Sequence, residues 1–98
     1  MSVTEDRIRE QLENHPVILY MKGVPKEPRC GFSAKAAAIL DQAGIPYAYV
    51  DVLAAPFIWE KLPNISHWPT YPQLFVKGEL VGGADIIEDM QRAGTLKP

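Results

Sequence analysis

The sequence predicts an α/β domain, a four-stranded mixed sheet flanked by helices on both faces. Three observations point there. Segments with helix and strand patterns follow one another in the order helix, strand, helix, strand, helix, strand, strand, helix. Over residues 17–52 two strand patterns bracket an amphipathic helix, a strand–helix–strand unit with a right-handed crossover if its strands are parallel. Finally, 98 residues of 47% apolar content can build one core and no second, so 1–98 reads as a single domain without repeat or linker.

Each element has a local reason. Ser2 and Glu5 fit a capping box, and Val3, Ile8 and Leu12 can share one face of a helix over about 3–14 that Pro16 ends. Val17 to Met21 is a continuous apolar run of strand length, as suits a central strand covered on both faces. Gly23 to Pro28 reads as a turn-rich loop, with Pro28 where helices often start. From Cys30 to Ala43, Phe32, Ala36, Ile39, Leu40 and Ala43 form an apolar stripe. Gly44 is the expected cap, and Pro46 prevents continuation. Residues 47–52 read as the second strand and 55–62 as a helix with Phe57, Ile58 and Leu62 apolar, closed by Pro63-Asn64. A loop over 64–72 leads to a strand at 73–77, a two-residue turn at Gly78-Glu79, and Leu80-Val81 pairing back antiparallel. Gly82-Gly83 breaks the sheet. Asp85 can cap a last helix over 85–93 whose Ile86, Ile87 and Met90 face the core, and Gly94 ends it.

Composition excludes several functions. Ten Lys and Arg against twelve Asp and Glu leave a net charge of −2, so little release of phosphate counterions and no nucleic-acid partner are expected. No run of about 18 apolar residues is present, so no membrane span is expected. The start, Met1 to Arg7, is mixed in charge and has neither the apolar stretch of a signal peptide nor the Arg-rich character of a transit peptide. One cysteine excludes an internal disulfide and any site built from several thiolates of one chain. His15 and His67 are too few and too far apart for a cluster. A reducing cytoplasm is the expected compartment.

The single cysteine carries the chemistry. In Pro28-Arg29-Cys30-Gly31-Phe32-Ser33 it follows a Pro-rich loop and opens a helix. There its sulfur would lie beside free backbone N–H groups and the positive helix end, with Arg29 and Lys22 adding positive potential. These favour the thiolate, which is both nucleophile and metal ligand. Thioredoxin-like domains carry Cys-x-x-Cys at such a position. Here Ser33 replaces the second cysteine, and a serine cannot resolve a mixed disulfide. Two chemistries remain: exchange with an external thiol, or metal ligation completed by ligands from elsewhere.

The sequence resembles the monothiol glutaredoxins of the Cys-Gly-Phe-Ser type, in their bacterial single-domain class. The likeness runs from about Tyr20 to Arg92. It rests on Met21-Lys22-Gly23, Cys30-Gly31-Phe32-Ser33, Trp68-Pro69-Thr70-Tyr71-Pro72-Gln73-Leu74, and Gly78-Glu79-Leu80-Val81-Gly82-Gly83 followed by Asp85-Ile86, all in register. The resemblance implies a thioredoxin fold with a cis bond before Pro72, and Tyr71-Pro72 facing Cys30. It implies a glutathione site in which Lys22 meets a glutathione carboxylate or the negative charge of a cluster. Thr70 and Tyr71 would offer backbone to the cysteinyl unit, and Gly83, Ala84 and Asp85 would hold the γ-glutamyl end. Three departures stand out. Trp59 occupies the place of an arginine that usually pairs with the glycyl carboxylate, so glutathione binding weakens unless Arg29 or another cation substitutes. Ala84 stands where many members have a second cysteine. The chain stops at Lys97-Pro98, before the extra C-terminal helix of many relatives.

Ligand number turns this into a function. A 2Fe–2S cluster takes four sulfur ligands, and this chain has one. The resemblance implies that two chains give a cysteine each and two glutathiones a thiolate each. The result is a cluster-bridged homodimer, monomeric without the cluster, that transfers clusters to iron–sulfur acceptor apoproteins. It further implies pairing with BolA-like proteins, with Trp68-Pro69 and the Cys30 loop in contact. The alternative is a glutathione-dependent monothiol oxidoreductase that removes glutathione from protein thiols; the resemblance implies weak turnover, because the family's insertion before the active site, here about Gly23 to Pro28, goes with cluster binding and poor turnover.

Overall fold

The computed structural model describes residues 2–96; Lys97 and Pro98, where the early stop was noted, lie outside the described residues. The elements are α1 (Val3–Asn14), β1 (Val17–Met21), β2 (Gly23–Val24), β3 (Glu27–Pro28), α2 (Gly31–Gln42), β4 (Ala48–Asp51), α3 (Pro56–Ser66), β5 (Gln73–Val76), β6 (Glu79–Gly82) and α4 (Ala84–Ala93). The main sheet has the order β4-β1-β5-β6. β1 runs parallel to β4 and antiparallel to β5, and β6 is antiparallel to β5. This is the mixed four-stranded arrangement expected, with the thioredoxin order of elements.

The continuous apolar run of β1 is explained by two half-cores. Leu19 and Met21 point into one, with Ala36, Ala37, Ile39 and Leu40 of α2, Leu74 of β5 and Ile87 of α4. Ile18 and Tyr20 point into the other, with Ile8 of α1, Ile58 and Leu62 of α3, and Phe75. Successive side chains of a strand leave opposite faces, so a strand covered by helices on both sides is apolar throughout. Thus α2 packs beside α4 on one face, and α1 beside α3 on the other.

Local chemistry accounts for most ends. Ser2 Oγ accepts the Glu5 N–H at 3.1 Å and caps α1, while the Glu5 carboxylate meets Lys61 Nζ of α3 at 3.4 Å. Five boundaries differ from expectation. The segment after β1 is a small hairpin, β2 with β3, rather than a loop, and Pro28 lies in β3 instead of starting a helix. Asp51 Oδ1 tethers this hairpin by accepting the Gly23 and Leu53 N–H groups, both at 2.9 Å. Gly23 is needed there: at φ 90° a Cβ would stand 2.6 Å from the Glu27 carbonyl oxygen. α2 starts at Gly31, with Cys30 as its N-cap. The β5–β6 turn is Lys77-Gly78, both at positive φ as the hairpin twist requires, not Gly78-Glu79. α4 is capped by Gly83, which leaves Asp85 in its first turn.

The fifth concerns Pro63, which sits inside α3 and does not end it. A proline gives no N–H to the carbonyl four residues back, here that of Trp59. The Tyr71 hydroxyl supplies that hydrogen bond instead, donating to Trp59 O at 2.9 Å and approaching Ile58 O at 3.4 Å. With its orphan carbonyl satisfied, the helix runs on to Ser66 and ends at His67 in the left-handed conformation. Four residues expected on core faces are exposed instead: Val3, Phe32, Phe57 and Ile86.

Candidate functional site

The C-terminal end of β1, the start of α2, the chain before β5 and the β6–α4 turn converge on one groove of about 340 Å³. All eight residues singled out from the sequence line it: Lys22, Cys30, Thr70, Tyr71, Pro72, Gly83, Ala84 and Asp85. Phe32, Trp68 and Ile86 complete its wall. Phe32 and Ile86 were read as core because their spacing fits an apolar stripe. Each lies near the start of its helix, beyond the cover of the sheet, where that stripe faces the groove.

Cys30 is partly exposed at the groove's rim. Its thiol is held below the usual cysteine range. The backbone N–H of Ser33 is the main cause. Partial burial opposes it, and the Phe32 N–H, the Lys22 ammonium and the Ser33 hydroxyl add to the lowering. These are the free amide donors of a helix start acting on an N-cap sulfur. The nearby charge is that of Lys22; Arg29, also expected to contribute, pairs with Glu27 at 3.1 Å on an exposed flank.

Ser33, read from sequence only as a missing cysteine, has a structural task. It is fully buried, and its Oγ accepts the Lys22 N–H at 3.0 Å. It therefore joins the end of β1 to the turn of α2 that holds the thiol. Ser33→Ala is expected to orphan that N–H at a cost of about 1–3 kcal/mol and to raise the pH at which Cys30 ionises. Thiol alkylation followed against pH checks this, and an unshifted midpoint would contradict the assignment.

The Tyr71–Pro72 peptide bond is cis. The β1–β5 ladder ends at Tyr20 opposite Gln73, so Thr70 and Tyr71 lie just beyond the last pair. Gln73 was not singled out. It is fully buried, and its Nε2 donates to Trp68 O at 2.8 Å and Thr70 O at 3.2 Å, securing the chain that forms the groove's wall. Its sequence signals were its place in the Trp68 to Leu74 motif and a polar residue opening an otherwise apolar strand. Across the groove, a Cβ on Gly83 would stand 3.3 Å from both the Pro72 carbonyl oxygen and Trp68 Nε1, so a larger residue would push these segments apart by a few tenths of an ångström. Trp59 does not line the groove but lies behind it, against Tyr71 and Lys22. His15 and His67 cap α1 and α3, away from it. Among the described residues no three metal-ligating side chains come together, and no helix is long and apolar enough to cross a membrane.

The glutaredoxin family model matches residues 17–81, the stretch that holds both Cys30 and the cis bond before Pro72. The chain belongs to the glutaredoxin family. With one cysteine and Ser33 in the second position, it is a monothiol glutaredoxin. It is 50% identical over 97 residues to glutaredoxin 4 of Escherichia coli K12, covering 99% of this chain and 84% of that protein. It is 57% identical over 81 residues to the probable monothiol glutaredoxin GrlA of Legionella pneumophila, covering 83% and 91%. A monomeric truncated mutant of Trypanosoma brucei 1-C-Grx1 superposes with a TM-score of 0.84 at 37% identity, over 96% of this glutaredoxin and 84% of that chain. A buckwheat glutaredoxin, solved as a complex with glutathione, shares the fold at 21% identity and a TM-score of 0.82, over 95% and 83%.

Proposed function

We propose that this glutaredoxin is a single cytoplasmic domain over 1–98 that carries 2Fe–2S clusters as cargo, bridged between two chains by Cys30 and glutathione, to iron–sulfur acceptor apoproteins. The observation that carries the proposal is a count. Cys30 offers one sulfur, its thiol lowered at an open rim, and no three metal-ligating side chains come together among the described residues. Three of the four sulfur ligands of such a cluster must come from outside. The groove beside Cys30 has a volume at the lower end of small-ligand pockets, which suits a tripeptide thiol. In this reading Lys22 meets a carboxylate, Thr70 and Tyr71 next to Pro72 offer backbone to the cysteinyl unit, and Gly83, Ala84 and Asp85 hold the γ-glutamyl end. The amides at the start of α4 favour its carboxylate, and the Asp85 carboxylate its ammonium. The apo chain is then a monomer and the loaded form a homodimer. A BolA-like protein replaces the second copy in a heterodimer.

The lowered thiol and its exposure support a second reading as oxidoreductase. The Cys30 thiolate attacks the glutathione sulfur of a protein–glutathione disulfide, releasing the protein thiolate and leaving glutathione on Cys30. A second glutathione thiolate attacks that disulfide, frees Cys30 and leaves as glutathione disulfide. Turnover of a glutathionylated substrate at the rate of a two-cysteine glutaredoxin would favour this reading.

Reconstitution with iron and sulfide over a glutathione titration tests the carrier. Visible absorption and native mass are expected to rise together, brown dimer appearing only when glutathione is supplied. Iron bound equally well by monomers without any soluble thiol would refute it.

A further inference from the structure

We infer that Trp59 is a positioning residue whose indole holds the Lys22 ammonium at the mouth of the Cys30 groove, and so sets how strongly the groove attracts an anionic group. Lys22 Nζ stands 5.1 Å from the centre of the Trp59 ring, within the range at which a cation is drawn to an aromatic face. The main chain of Lys22 is fixed at both ends: its N–H donates to Ser33 Oγ at 3.0 Å, and its carbonyl accepts the Arg29 N–H at 2.9 Å. What remains free is the long side-chain stem. No carboxylate among the described residues forms an ion pair with it, so the indole is the contact that confines it.

The indole is itself anchored. Its ring lies on that of Tyr71, centroids 5.1 Å apart with a 35° tilt. The main-chain carbonyl of Trp59, freed by Pro63, accepts from the Tyr71 hydroxyl at 2.9 Å. Tyr71 is buried, and it lines the groove. One tyrosine thus fixes the tryptophan by ring and by backbone, and the tryptophan confines the lysine. The inference does not rest on the cluster reading, because its test uses neither iron nor glutathione.

The test compares alkylation by iodoacetate, an anion, with iodoacetamide, its neutral analogue. In both, the thiolate sulfur displaces iodide and forms a thioether, and Cys30 is the one cysteine in the chain. The ratio of the two rates cancels thiolate fraction and access, and reads the local positive potential. Lys22→Met is expected to lower this ratio and set its floor. Trp59→Leu is expected to lower it by about threefold, Trp59→Phe to retain most of it, and the Trp59→Leu/Lys22→Met pair to match Lys22→Met alone. Trp59→Met substitutes if the leucine variant does not fold. An unchanged ratio in Trp59→Leu, an equal fall in the Leu and Phe variants, or an additive double variant would each overturn the inference.

Discussion

Cys30→Ser is expected to leave the protein colourless and monomeric after reconstitution with iron, sulfide and glutathione, while wild type becomes a brown dimer. The effect is all-or-none because the chain has no second sulfur of its own other than methionine thioethers, and these are not thiolates. A serine hydroxyl keeps the shape of the N-cap and improves its capping, so the fold should survive and thermal unfolding should be little changed. It does not ionise near neutral pH and is a poor ligand for an iron–sulfur cluster. The depressed thiol makes a companion prediction for wild type. Cys30 should lose its reactivity toward iodoacetamide on acidification, with a midpoint below that of an ordinary cysteine, since the backbone N–H of Ser33, with smaller help from the Phe32 N–H and Lys22, lowers its thiol against the opposing effect of partial burial. A brown Cys30→Ser dimer would mean that the cluster is held elsewhere.

Leu40→Ala is expected to destabilise the fold by about 2–5 kcal/mol, the range for deleting a large apolar side chain from a packed interior. Leu40 is fully buried on α2, in the half-core that also holds Leu19, Leu74 and Ile87. The loss is a large part of the roughly 5–15 kcal/mol that holds a domain of this size together. At about 4–8 °C per kcal/mol it should lower the thermal midpoint by at least about 8 °C. The site should suffer with it, because the same helix carries Cys30 at its start and Ser33 on its buried face. Phe57→Ala is the contrast. Phe57 is 75% exposed, and its truncation should change stability by no more than about 0.5 kcal/mol. Circular dichroism against temperature for both variants checks the pair, and comparable midpoints would contradict the packing described.

Much of this was legible in the residues. The apolar run of β1, the alanine-rich stripe of α2 and the glycines after α2 and α4 report conditions met within a few residues along the chain, so they locate the elements well. Cys30 before Gly31-Phe32-Ser33 pointed to the candidate site, and the motif-bearing segments named eight residues that share one groove. What was misread has a common origin. Phe32 and Ile86 carry the spacing of core residues, yet whether a stripe meets the sheet or overshoots it depends on where another element stops. Pro63 breaks helices by local rule, but here the hydroxyl of Tyr71, distant in sequence, satisfies the carbonyl it orphaned. For Trp59 the resemblance implies only a missing arginine; its contacts with the Tyr71 ring and the Lys22 ammonium depend on the fold.

The sequence by itself thus determined the four helices, the four strands of the main sheet, their order along the chain and the one cysteine that opens α2. Only the tertiary structure decided which apolar side chains face the groove, how α3 runs through its proline, and what confines the charge beside Cys30. The physical reason is range. Helix and strand patterns arise from contacts between near neighbours along the chain, whereas burial, the rescue of an orphan carbonyl and the placement of a charge depend on groups that only folding brings together.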